Sequence, residues 1–146
     1  MRELLGSIER ALLISIKPRY VAQIVVGTKR VELRRTRPNI GSGELVLIYE
    51  SSPTMALVGY GIVEDVLTSS PGKLWPRVRE WAGISKAEYA GYFEGAKSAY
   101  GIKFGEVDFF DEPIGLDELR GSLEGFHPPQ IYRYLTKDQL VNVLAS

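Results

Sequence analysis

Short apolar runs separated by turn residues set the pattern of this chain. Residues 11–17 begin with ALLISI, a nearly continuous apolar run whose length predicts a buried strand. Pro18 then suits the first position of a helix, in which Val21, Ile24 and Val25 share a face at spacings of three and four. Gly27 stands where a left-handed cap would end that helix. Residues 29–36 alternate charged and apolar side chains. A strand there places Val31 and Leu33 on one face and Arg30, Glu32 and Arg34 on the other. Further strands are expected over 44–50, 55–66 and 98–109. Gly59 and Gly61 inside the 55–66 strand mark a bulge or a close backbone approach.

The helical rhythm returns between the strands. Residues 74–83 carry Leu74, Val78 and Trp81 on one expected inward face. Ser85 and Glu88 have the spacing of a capping box, opening a helix through Phe93. Residues 116–120 suit a single helical turn. Thr136 and Gln139 form a second capping box, starting a terminal helix whose Leu140, Val143 and Leu144 turn inward. Residues 1–10 read as a lead-in, residues 68–73 (TSSPGK) as a loop, and the acidic stretch with Asp108, Asp111 and Glu112 as a loop. Four or five strands with helices inserted between them predict an α+β fold around a small β-barrel, in one domain over 1–146.

Composition narrows the chemistry. At 45% hydrophobic and 25% charged residues, the chain can bury a core unaided by disulfides or a structural metal. It has no cysteine, which excludes disulfides, thiol catalysis and cysteine-ligated zinc. A single histidine, His127, cannot form a histidine metal cluster, and no metal or other cofactor is expected. No apolar run approaches the roughly 20 residues that span a bilayer, so no membrane partner is expected. No signal-peptide pattern opens the chain, and the expected location is cytoplasmic. The net charge of zero hides an asymmetry: residues 1–37 hold nine Lys/Arg against three Glu, a balance of +6, and the remainder balances it at −6. A basic segment of this density suits a nucleic-acid surface, or is neutralised by its neighbours in the fold.

The segment with the densest chemistry runs from Gly27 to Arg35, where Lys29, Arg30, Glu32, Arg34 and Arg35 surround Val31 and Leu33. On residues alone it is either a solvated edge strand or an anion site. Its spacing Gly-x-Lys-x-x-Glu-x-Arg, at Gly27, Lys29, Glu32 and Arg34, resembles the signature of the ASCH domain family. Ser15-Ile16-Lys17-Pro18, Tyr49-Glu50-Ser51-Ser52-Pro53, Leu74-Trp75, Gly83-Ile84-Ser85-Lys86, Tyr92-Phe93-Glu94-Gly95, Asp111-Glu112-Pro113 and Pro128-Pro129-Gln130 extend the resemblance to a prokaryotic single-domain branch, over about residues 11–135. The resemblance implies a PUA-like barrel with a cleft beside the helix-to-strand turn. It also implies binding of RNA, another single-stranded nucleic acid or a modified nucleotide, with a regulatory role in RNA metabolism or transcription.

That resemblance suggests Lys17, Lys29 and Arg34 for phosphate, with Tyr49, Ser51, Ser52 and Gln130 for stacking on a base and reading its edges. As catalytic candidates it leaves Lys29 and Glu32, in a ribonuclease using the same cleft. A further alternative is a protein-interaction module whose basic strand meets an acidic partner. Some bacterial members resemble amidohydrolases acting on acylated cytidine; Lys29 matches their lysine, but Glu32 stands where their threonine is expected, which disfavours that activity here. Trp75 and Trp81 are expected in the core, and His127 in a loop.

Overall fold

A computed structural model describes residues 5–145. The strands are β1 (Arg10–Ile16), β2 (Val31–Arg34), β3 (Leu45–Glu50), β4 (Ala56–Ser69), β5 (Ala99–Gly115) and β6 (Arg133–Thr136). The helices are α1 (Pro18–Val26), α2 (Pro71–Val78), α3 (Lys86–Tyr92), α4 (Leu116–Ser122) and α5 (Lys137–Leu144). The architecture is mixed α+β, with the strands in one sheet of order β2-β5-β4-β3-β1-β6. β1 and β3 are parallel, joined through α1 and β2; the other neighbours are antiparallel.

The sheet is not closed. β2 and β6 are its ends and no ladder joins them, so the expected barrel is not completed by strand pairing. Both faces are nonetheless covered. Leu13, Leu47 and Tyr49 meet Leu119, Leu123, Leu140 and Val143 of the α4–α5 side. On the other face Leu12, Ile14, Val46, Ile48 and Phe104 enclose Val21 and Ile24 of α1. A third cluster packs Val31 and Leu33 of β2 against Leu74, Val78, Tyr89 and Phe93. The alternation read from the sequence is therefore real at β2, where one side is greasy and the other charged.

Local chemistry explains most boundaries. Gly27 ends α1 at φ 87°, a left-handed position favouring glycine. Both capping boxes form, at Ser85/Glu88 and at Thr136/Gln139. Other expectations fail for identifiable reasons. TSSPGK is not a loop: β4 runs to Ser69, and Pro71 takes the first turn of α2, where its missing N–H costs nothing. The acidic stretch is also strand, because β5 continues to Gly115 on the extended partner β4. α2 ends at Val78, five residues before the expected end, and Trp81 is exposed beyond it. β6 is absent from the expectations; its pairing with Arg10–Leu13 forms across more than a hundred residues. Of the expected lead-in, residues 1–4 lie outside the described residues.

The β4–β5 register shifts near Gly59, and a Cβ there would stand 2.3 Å from the Asp108 carbonyl oxygen. Gly59→Ala should therefore destabilise the fold by about 1–3 kcal/mol. Urea denaturation checks this; an unchanged midpoint would show that the strands can separate there without cost.

Candidate functional site

The charged face of β2 looks into the gap between that strand and the end of β1. Arg34 crosses the gap: its Nη2 donates to the Ser15 carbonyl at 2.8 Å. The same guanidinium donates to Glu32 Oε2 through Nη2 at 2.7 Å and Nε at 3.1 Å. Lys29, just before the strand, turns into the same space. Its Nζ donates to the Ala82 carbonyl at 2.6 Å, lies 3.4 Å from Glu32 Oε1 and sits 5.0 Å from the Tyr20 ring centroid. The two oxygens of one carboxylate are thus divided between two cations.

This array is dry. Lys29 is 3% exposed and Glu32 7%. Burial pushes the Lys29 ammonium below the ordinary lysine value, Glu32 opposes that, and the charge of Arg34 adds to it. At Arg34 burial also works against the charge, but the pull of Glu32 outweighs it and the net direction is up. Burial likewise raises the Tyr132 phenol, which stays protonated 5.9 Å from the Arg34 guanidinium. Arg34 is therefore a fixed cation, whereas Lys29 can exchange a proton.

The gap widens into a cleft of about 350 Å³, within the range of small-ligand sites. Its walls are Ser15 to Lys17 from β1, Tyr20 from α1, Lys29 and the charged side of β2, Ile84, Glu88 and Tyr92 around α3, and Gln130. Three cations line it against two carboxylates, an excess of one positive charge. Arg19 of α1 bonds Glu88 of α3 at 2.6 Å, but the pair is exposed and worth little. The dry cations, the aromatic walls and the exposed amide can hold one nucleotide-sized anion.

The ASCH domain family matches residues 14–108 of this chain. The ASCH domain-containing ribonuclease of Zymomonas mobilis is 31% identical over 126 residues, which are 86% of this chain and 84% of that one. This chain belongs to the ASCH domain family. The crystal structure of ASCH from Zymomonas mobilis aligns with a TM-score of 0.87 at 29% identity, covering 92% of this chain and 94% of that one. At 14% identity, the N-terminal domain of Thermococcus gammatolerans McrB bound to m5C DNA shares the fold, with a TM-score of 0.56 over 93% of this chain and 95% of that one.

The residues selected from the sequence divide within this ASCH domain. Lys17, Lys29, Glu32, Arg34 and Gln130 line one cleft. Tyr49 does not join them. It shares the face of β3 with Leu45 and Leu47, is 1% exposed and meets Phe126 edge-on at 6.4 Å. Ser51 and Ser52 follow β3 and are not among the cleft walls; the Ser51 N–H instead donates to the Ile16 carbonyl at 3.0 Å. His127 is exposed outside the cleft. Among the described residues no group of three or more Asp, Glu or His is placed to hold a metal ion, and Asp108, Asp111 and Glu112 lie along β5. Sequence reasoning missed Ser15, Tyr20, Ile84, Glu88 and Tyr92. Ser15, Ile84 and Tyr92 stand in segments that carry the family resemblance, which is the one signal that could have flagged them.

The ion array makes a direct prediction. Glu32 is what favours the charge on Lys29, so Glu32→Gln should move the Lys29 pKa further down. Side-chain nitrogen NMR across a pH series measures it. A Lys29 that titrates together with the surface lysines would contradict the buried arrangement.

Proposed function

We propose that this chain binds single-stranded RNA in the cleft between β1 and β2 and cleaves it, acting in the cytoplasm. The observation that carries the reading is the dry Lys29–Glu32–Arg34 array on the wall of a nucleotide-sized cleft. The 31% identity to a Zymomonas mobilis ribonuclease supports it. Arg34 presents its remaining guanidinium nitrogen, Nη1, to a non-bridging phosphate oxygen, while Glu32 and the Ser15 carbonyl hold Nε and Nη2 in place. Tyr20, Tyr92 and Gln130 hold the base and Lys17 the neighbouring backbone.

The deprotonated form of Lys29, which burial favours, serves as the base. Its two N–H bonds point to the Ala82 carbonyl and Glu32, which leaves its lone pair for a substrate proton. It takes the proton of the ribose 2′-hydroxyl as that oxygen bonds to phosphorus. The 5′-oxygen leaves and takes a proton from solvent. The products are a 2′,3′-cyclic phosphate and a 5′-hydroxyl end. A labelled single-stranded RNA should accordingly be cut, and the same oligonucleotide with 2′-deoxyribose throughout should be bound but not cut. Cleavage of both would remove the 2′-hydroxyl step.

A second reading, binding without cleavage, has one observation in its favour. Both oxygens of Glu32 are already engaged by cations, so this carboxylate is not free to act as a base. Saturable RNA binding with intact RNA after long incubation would select that reading. A protein-interaction role predicts no saturable RNA binding at physiological salt.

A further inference from the structure

Trp81 is the one tryptophan left at the surface. Trp75 is partly buried and packs on Tyr89 at 4.7 Å between ring centroids, whereas Trp81 is 44% exposed. Its indole carries a single described companion, the Arg30 guanidinium, 5.9 Å from the ring centroid. Among the described residues Arg30 has no carboxylate within salt-bridge range, although it is solvent-exposed and sits in the most basic part of the chain.

The backbone under this pair is held firmly. The Trp81 carbonyl accepts from the N–H groups of Arg30 at 2.8 Å and Val31 at 3.1 Å, and the Trp81 N–H donates to Val78 at 2.8 Å. One residue further on, the Ala82 carbonyl receives the Lys29 ammonium from the cleft side. Residues 81–82 are thus laid along residues 29–31, with the exposed indole and the cleft lysine on adjoining residues of both segments. Consecutive residues are about 3.8 Å apart, so the backbone that carries the platform adjoins the backbone that carries the cleft lysine, and Arg30 and Lys29 together line a second, smaller depression.

We propose that Trp81 and Arg30 form a second subsite for single-stranded RNA, in which the nucleotide next to the one in the cleft stacks on the indole and sets a phosphate on the guanidinium. The proposal rests on the RNA reading of the cleft and extends it to a substrate of at least two nucleotides. A π-face accepts any base, so this subsite adds affinity and length preference without sequence preference. Arg77 and Arg79 are exposed on the α2 side of Trp81, with Glu80 between Arg79 and the tryptophan.

The chain has two tryptophans, so a Trp75→Phe protein reports on Trp81 alone by its emission. Uridine monophosphate and a non-cleavable 2′-O-methyl tetranucleotide are titrated in turn. The tetranucleotide should quench Trp81 and the monophosphate should not. In the chain with Trp75 intact, Trp81→Ala should weaken tetranucleotide binding about tenfold or more and leave monophosphate binding unchanged. Trp81→Phe should recover part of the loss, and circular dichroism confirms that each variant is folded. Tetranucleotide binding that is weakened by Arg34→Lys but indifferent to Trp81→Ala would overturn the subsite and spare the cleft. Binding indifferent to Arg34→Lys and to Trp81→Ala alike would overturn both.

Discussion

Lys29→Met is expected to leave a folded protein whose RNA cleavage falls by about 10²–10⁴-fold, the range for loss of a positioned acid–base group. Methionine keeps most of the lysine stem against Tyr20, so packing is largely retained, while the ammonium and its bonds to Ala82 and Glu32 are lost. The pH profile gives an independent check. A base must be deprotonated, and burial sets the Lys29 pKa below the ordinary lysine value. Activity should therefore rise with pH up to that lowered pKa and then level off, since Arg34 keeps its charge throughout. Glu32→Gln should shift the rise to lower pH. A profile that instead falls as Lys29 loses its proton would make Lys29 a phosphate-binding cation rather than a base.

The largest effect on stability should come from Glu32→Ala. That change strands two cations that are 3% and 13% exposed on their side chains. Breaking a buried ion pair from one side costs about 3–5 kcal/mol, because the remaining charge keeps its desolvation cost without its partner. Replacing Lys29, Glu32 and Arg34 together by leucine should cost less than Glu32→Ala alone. Chemical denaturation of the two variants makes the comparison; a mild effect of Glu32→Ala would mean that water reaches the array.

Much of the frame was legible in the sequence because its signals are local. Pro18 and Gly27 bound α1, two capping boxes start α3 and α5, and the charged alternation of β2 places Glu32 and Arg34 on one side. The misplacement of Tyr49 has a different origin. β3 is buried on both faces, so its run of apolar residues carries no period to say which face is which. Parity with Leu45 and Leu47 sends Tyr49 to the α4–α5 side, away from the cleft. The walls Tyr20 and Tyr92 were missed because the cleft is assembled across the open gap in the sheet. Bonds such as Tyr92 hydroxyl to the Leu33 carbonyl and Arg19 to Glu88 join residues 59 and 69 positions apart. Trp81 was expected inside because its spacing continues the Leu74–Val78 stripe, but α2 stops at Val78 and the stripe ends with it.

The location of the bound RNA tests the central claim most directly. Backbone and side-chain NMR shifts are followed while a 2′-O-methyl dinucleotide is titrated into the wild-type protein. The largest changes should fall on Lys17, Lys29, Arg34, Tyr92 and Gln130, persist in a folded Lys29→Met protein and shrink in a folded Arg34→Lys protein. Changes centred instead on the acidic end of β5 or on β6, with the β1–β2 cleft silent, would contradict it.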